Sequence, residues 1–266
     1  MSTHLIILLI CIFIIYFTVF MYFMISNLAK RKLNTKCWVI NLPKNKQRLQ
    51  RFTYFYNQSD ISKLPLETFS AIKGRELDAE KYLSFESYKV LLESEKQKYR
   101  TKHYQLTRGA IGCYLSHTTI YKKLINDPKY NYYIIFEDDA AILPKVLNKL
   151  ETAITYAPAD WDMILFAPIM EVISEKTVLF KKYETFWGLC AYVINKKGAK
   201  KFIKEFNARP ISMQIDSKMS LMIMQDKLNV YGYRDTMTWH DRSMGTDIQM
   251  QLKKIPNINP FYIEDL

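Results

Sequence analysis

The sequence predicts an α/β domain behind a single apolar N-terminal helix, and three observations carry that expectation. Short apolar runs alternate with helical stretches through most of the chain, the pattern of a sheet covered by helices on both faces. Gly and Pro are few, at 7 and 9 of 266 residues, and no internal repeat or low-complexity stretch breaks the alternation. One apolar run, Tyr132-Tyr133-Ile134-Ile135-Phe136, ends directly in the carboxylates Glu137, Asp138 and Asp139.

The N-terminal helix is expected from Leu5–Ile25, 21 residues without a charge, against the roughly 20 needed to span a bilayer. No small-x-small cleavage site follows before Asn27-Leu28-Ala29-Lys30, so an uncleaved signal-anchor is expected. This divides the chain into a membrane anchor (1–25), a basic juxtamembrane linker (26–36) and a domain (37–266). The predicted location is the membrane, single-pass, with the lipid bilayer as a partner of that helix. Lys30-Arg31-Lys32 and Lys36 would lie against anionic head groups and place the domain in the cytosol. The sequon Asn57-Gln58-Ser59 argues for the lumen instead, so the side stays open.

Within the domain, Cys37–Leu42 reads as a first strand stopped by Pro43, and Lys44–Gln58 as a helix turning Leu49, Phe52 and Phe55 inward. Phe69–Ile72 reads as a short strand and Asp78–Lys98 as a charged loop with helical pieces. Leu106–Ile125 is a helix with Thr107 as N-cap and Ile111, Leu115, Ile120 and Leu124 as its stripe. The strand Tyr132–Phe136 and the acidic triplet follow, then a helix from Pro144 to Tyr156. Trp161–Phe166, Thr185–Ile194 and Asn229–Tyr233 read as strands, and Lys196–Phe206 and Ile215–Lys227 as helices.

A net charge of +12 is spread along the chain and accompanies no nucleic-acid motif, so no nucleic acid is expected as a partner. Of four cysteines, Cys11 falls in the anchor; Cys37, Cys113 and Cys190 lack CxxC spacing and are expected as buried free thiols.

Adjacent carboxylates repel and raise one another's pKa unless a cation or several donors offset them. At the end of a strand, their simplest use is to hold a divalent metal that in turn holds a phosphate. The bland alternative is an acidic turn capping the helix that begins near Pro144.

Several segments together resemble glycosyltransferase family 25. They are Val39-Ile40-Asn41-Leu42 with Arg48 downstream, Ala71-Ile72-Lys73-Gly74, and Leu106 to His117 with its Gly-Ala-Ile-Gly-Cys-Tyr-Leu-Ser-His core. Ile134 to Ala140, Trp187 to Ile194 and Lys197-Gly198-Ala199 complete the set. The resemblance implies a GT-A-type, Rossmann-like nucleotide-sugar-binding fold. It also implies a UDP-sugar donor such as UDP-galactose, a divalent metal, usually Mn²⁺, inversion at the anomeric carbon, and a glycan, lipooligosaccharide or protein hydroxyl as acceptor. Lys73 stands where the family often has Asp, Ala110 where Glu is common, and Thr236-Met237 and Gly245–Ile248 depart from its C-terminal pattern.

On this reading Asp139 is the principal metal ligand, with Glu137 or Asp138 reaching the metal through water or touching the ribose. His240, in Thr238-Trp239-His240-Asp241, completes the metal shell or is a hydrogen-bonded structural residue. Asp216 and Asp241 are the catalytic candidates, Asp216 as the general base unless it is a plain helix N-cap. Asn41, Arg48 and Ala71 are expected on the donor, with Arg48 and Arg51 toward phosphate or solvent. Ser116-His117 lies on a helix, where neighbours point apart, so structural support or a donor contact is expected rather than a nucleophilic pair. Trp187 and Tyr192 are expected in the core. The competing functions are a catalytically degenerate sugar-binding or scaffold relative, and a metal-dependent phosphoesterase, which would need further Asp or His ligands.

Overall fold

The computed structural model describes residues 3–28, 33–241, 243, 245–248 and 250–253. A helix, α1 (Thr3–Leu28), precedes the domain. Its described side chains, residues 10–22, are exposed throughout, with Phe13 at 69 % and Tyr16 at 76 %. Among the described residues no helix is long and apolar enough to cross a membrane. The expected membrane span is therefore not supported among the described residues. Lys30-Arg31-Lys32 and residues 254–266 lie outside the described residues.

The domain is built on one eight-stranded mixed sheet in the order β2-β1-β3-β8-β5-β9-β7-β6. Strands β1 (Lys36–Asn41), β2 (Leu66–Ser70) and β3 (Tyr132–Glu137) run parallel, the arrangement of a Rossmann-like half. Against β3 lies β8 (Ala191–Asn195), antiparallel, then β5 (Met163–Leu165), β9 (Val230–Tyr233), β7 (Phe180–Trp187) and the edge strand β6 (Met170–Lys176). A separate two-stranded sheet pairs β4 (Ala140–Ile142) with β10 (Thr238–His240).

Alternation along β1 and β3 explains the two cores. Trp38, Ile40, Tyr133 and Ile135 face one apolar cluster, and Cys37, Val39, Ile134 and Phe136 face the other. Helices α4 (Arg108–Asn126), α6 (Lys196–Ala208) and α7 (Ile215–Met224) close the first through residues such as Ile111, Phe202 and Met219. Helices α2 (Lys46–Gln58) and α5 (Leu147–Thr155) close the second through Phe52, Tyr56 and Leu150. The expected sheet covered on both faces is present, with β7 and β8 running against the other six strands.

Several expectations need correction. The span 185–194 is not one strand: Gly188, at φ +93°, breaks it into β7 and β8. The charged stretch 78–98 contains a full helix, α3 (Phe85–Gln97), whose N-cap Ser84 accepts from the Ser87 N–H and whose Leu91 is buried. The helix expected from Pro144 begins at Leu147, and Asp60 Oδ1 caps it by accepting from Val146 N at 2.8 Å and Leu147 N at 2.9 Å. The acidic triplet is therefore not that helix's cap. Lys36 belongs to β1 rather than to a lipid-facing linker, with its ammonium 2.8 Å from Glu67 and 4.8 Å above the Trp38 ring.

Candidate functional site

Glu137 is the last residue of β3, and its N–H donates to Cys190 O at 2.8 Å. Asp138 and Asp139 form the turn into β4, which pairs with β10 so that Ala140 faces His240. The Asp241 N–H then donates to Asp139 O at 2.7 Å. The turn is thus pinned at both ends, at the carboxyl end of three parallel strands, where ligands of open α/β sheets gather.

Each carboxylate of the triplet has a different environment. Glu137 Oε1 accepts from buried His117 at 3.1 Å and lies 3.7 Å from Cys113 Sγ. Burial pushes Glu137 up, but the His117 hydrogen bond and the charges of His117, His240 and Arg48 hold it below the usual carboxylate range. Asp138 is clamped by Arg48, whose Nε donates at 2.7 Å, and by Asn41 Nδ2 at 2.7 Å. Burial nonetheless leaves Asp138 above its ordinary value despite those partners. Asp139 is raised furthest, to about 7, by burial first and then by the charge of Glu137, with Arg48 opposing at 3.4 Å.

Asp139 Oδ1 is buried and makes no hydrogen bond. Ligand atoms of Asp139, Cys190 and His240 all lie within 4.8 Å of one another. Burial and the nearby carboxylates hold the Cys190 thiol well above its usual pKa, so it stays protonated and is a poor ligand for a hard cation. What remains is a carboxylate oxygen lacking any donor beside an imidazole, a donor set that fits a divalent cation taking O and N ligands.

A cleft opens in front of the triplet, lined by Lys44, Arg48, Ala71, Lys73, Cys113 and the three carboxylates among others. Its floor requires close backbone approach. A Cβ on Gly112 would lie 2.3 Å from Ile72 O, and one on Gly74 would lie 1.7 Å from Arg108 O. The start of α4 can therefore rest on the Ile72–Gly74 loop only with glycine at both positions. Thr107 caps that helix as expected, accepting from Ala110 N at 3.0 Å. Ala110 is 2 % exposed in this packed floor, where a Glu would be buried.

The expected site residues fall in different places. Glu137, Asp138, Asp139, Arg48 and Ala71 line the cleft. Asn41 does not: its amide donates to Asp138 and to Asn45 O at 3.1 Å, so it braces the triplet. His240 lies beside Asp139, its Nε2 3.1 Å from Ala167 O. Asp241 turns away to pair with Arg51 and is lowered by Ser243 and Arg51 against the effect of burial, which makes it a brace for the loop. Asp216 is no plain N-cap: it sits inside the first turn of α7, and its Oδ2 accepts from Gly188 N at 3.0 Å. It is buried, and it does not line the cleft. Lys73 pairs with Glu76 at 3.0 Å on the cleft wall. Trp187 and Tyr192 are core residues, as expected.

Sequence reasoning missed the chain behind Glu137. His117 Nδ1 is 2.6 Å from Tyr192 OH, which is 2.6 Å from Tyr121 OH, all fully buried. His117 and Tyr121 are four apart on α4, a same-face spacing that was available as a signal. Ser116 braces the same helix, donating to Gly112 O and accepting from Ile72 N at 2.9 Å. The support role expected for Ser116-His117 is what the structure shows.

The comparisons with known proteins agree with this geometry. Residues 34–219 match the model of "Glycosyltransferase family 25 (LPS biosynthesis protein)". Human procollagen galactosyltransferase 2 is 28 % identical over 210 residues, 74 % of this chain and 31 % of that protein. Procollagen galactosyltransferase 1-A of Xenopus laevis is 32 % identical over 143 residues, 48 % of this chain and 22 % of that protein. The chain thus spans under a third of these relatives. Among solved structures, A197 from STIV aligns over 85 % of this chain and 98 % of its own, at 9 % identity and a TM-score of 0.43, too weak a likeness to carry weight. With the matched segment covering most of the described domain, the chain belongs to glycosyltransferase family 25.

Proposed function

We propose that this chain is a glycosyltransferase domain that moves a sugar, such as galactose, from a UDP-sugar to a hydroxyl acceptor with inversion. The observation that carries this reading is Asp139 Oδ1, buried without a hydrogen bond at the mouth of a cation-lined cleft. Lys44, Arg48 and Lys73 supply positive charge for a diphosphate, and Arg48 also holds Asp138 in place. Asp139 and His240 would hold the divalent ion, Mn²⁺ on the family's habit, which offsets charge on the departing diphosphate when bound. Glu137, held by His117, is aimed into the same cleft and would contact the donor or a metal-bound water.

In the transfer, the acceptor oxygen bonds to the anomeric carbon as that carbon's bond to the diphosphate oxygen breaks. The electron pair leaves with UDP, and the hydroxyl proton goes to Asp216, a buried carboxylate outside the triplet whose Oδ2 accepts from Gly188 N. The relatives' printed names support a galactosyl donor and a protein acceptor; a glycan acceptor is equally within the chemistry. The charge-free run Leu5–Ile25 and the exposure of the described α1 side chains, residues 10–22, support its use as a single-pass anchor in a lipid bilayer. Protease protection of the domain in sealed membranes tests that placement.

The enzymatic test is release of UDP from a panel of UDP-sugars with Mn²⁺, by the wild type and Asp139→Ala. Turnover by the wild type and at least a hundredfold less by the variant supports the reading. No turnover and no UDP binding by the wild type would favour a degenerate relative.

A further inference from the structure

Cys113 and His117 stand four residues apart on α4, a spacing that puts both side chains on one face of a helix. Glu137 meets them from the end of β3. Cys113 Sγ lies 3.7 Å from Glu137 Oε1 and His117 Nε2 lies 3.1 Å from it. All three ligand atoms are within 4.8 Å of one another. A tetrahedral zinc ion, with bonds of about 2.3 Å to sulfur and about 2.0 Å to nitrogen and oxygen, spaces its ligand atoms roughly 3.3–3.6 Å apart. The two gaps to Oε1 bracket that range.

The other ring nitrogen of His117 is already held. Nδ1 is 2.6 Å from Tyr192 OH, which is 2.6 Å from Tyr121 OH, and either tyrosine can donate to the other. A partner of this kind orients a metal-bound imidazole and presents its second nitrogen to the ion. The ring and both tyrosines are fully buried, so the packing around them fixes that orientation. Cys113 and Glu137 line the donor cleft, and Cys113 is only partly buried, whereas Cys190 is fully buried. A cation entering the cleft therefore reaches the Cys113 thiol directly, and water in the cleft supplies a fourth ligand.

We propose that Cys113, His117 and Glu137 form a binding site for Zn²⁺, separate from the pair assigned to Mn²⁺. The site shares no ligand with Asp139 and His240. Its chemistry differs too: one sulfur, one nitrogen and one oxygen suit a borderline-soft ion, whereas Mn²⁺ favours oxygen. Burial, then the charges of Glu137 and Asp216, hold the Cys113 thiol well above its usual pKa, so a hard cation leaves it protonated. Zinc forms its bond to sulfur as the S–H bond breaks, and the thiol proton passes to water. His117 binds as the neutral tautomer whose Nδ1–H donates to Tyr192 OH. The proposal does not depend on the glycosyltransferase reading.

The test is cobalt spectroscopy on the full chain in detergent, with Co²⁺ as the probe of the zinc shell and no UDP present. The wild type should show a near-ultraviolet sulfur-to-cobalt charge-transfer band and the intense visible bands of a four-coordinate ion, all removed by Zn²⁺. Cys113→Ser should lose the charge-transfer band and bind Zn²⁺ at least tenfold more weakly, with its metal-free melting temperature near the wild type's. Cys190→Ser and Asp139→Ala should keep the band. A wild type without the band would overturn the proposal, as would a band that survives Cys113→Ser. Loss of the band in Cys190→Ser alone would move the ion to the Asp139 cluster and overturn it equally. A second measurement needs no variant: Zn²⁺ should shield Cys113 from alkylation in the wild type, read by mass spectrometry. Alkylation of Cys113 at the same rate with and without Zn²⁺ would contradict the site.

Discussion

His117 Nε2 lies 3.1 Å from Glu137 Oε1, and this contact joins helix α4 to the acidic end of β3 across twenty positions of sequence. The histidine is fully buried, so the contact is shielded from solvent and fixes the carboxylate's direction. His117→Ala leaves Glu137 without its main donor, and a loss of about 2–4 kcal/mol in urea unfolding at pH 7 is expected. Because Glu137 is held below its ordinary 4.5, its contribution is present above that value and is lost as pH falls through the lower folded-state value. The gap between wild type and variant therefore narrows below about pH 4.5, and a gap constant down to pH 3 would assign the cost to packing alone.

Arg48 contacts Asp138 through Nε at 2.7 Å and through a second guanidinium nitrogen, with side chains only 12 % and 9 % exposed. Removing the cation strands a buried carboxylate. Arg48→Ala is expected to cost about 3–5 kcal/mol and to abolish UDP binding in calorimetry. Arg48→Lys should restore little, since a single ammonium does not reproduce the two-pronged contact.

Asp139 makes the opposite contribution to stability. With metal chelated, its folded-state pKa of about 7 against an ordinary 3.8 means the folded protein keeps a proton that the unfolded chain gives up. Stability therefore falls as pH rises from about 4 to 7, and the penalty is full above 7. Asp139→Asn, which cannot ionise, should be more stable than the wild type in EDTA at pH 8, by at most about 4 kcal/mol. The advantage should vanish near pH 4; an equal advantage at both pH values would contradict the assignment.

Glycine at 112 and 74 is a steric requirement. A Cβ on Gly74 would fall 1.7 Å from Arg108 O, and backbone cannot move aside as a flexible side chain can. Gly74→Ala is expected to destabilise by about 3 kcal/mol or more, read as a drop in melting temperature of at least several degrees. Gly245→Ala, with nothing within 4 Å but φ +71°, should cost only about 1 kcal/mol.

Much of the frame was legible because it is local. The run 132–136 is apolar at every position since β3 is covered on both faces, and Thr107 announces α4 through its own side chain. The short strands β4, β6 and β10 carry little periodicity; β6 is exposed at nearly every position and offers no buried face to betray it. The break at Gly188 was invisible because flanking apolar residues continue the strand pattern through it. At the site, the triplet and Arg48 could be read from residue type and resemblance. The roles of Asn41 and Asp241 could not, because their partners, Asp138 and Arg51, are 97 and 190 positions away and meet only through the sheet order. His117, Tyr192 and Cys190 depend on the same long-range assembly.

The central claim is that Asp139 and His240 hold a divalent ion that holds a nucleoside diphosphate. Electron paramagnetic resonance titration of Mn²⁺, with and without UDP, tests it without any assumption about sugar or acceptor. The wild type should bind one Mn²⁺ with affinity raised tenfold or more by UDP, and Asp139→Ala and His240→Ala should each lose that enhancement. Mn²⁺ bound equally by the wild type and both variants, or bound with no response to UDP, would contradict the account.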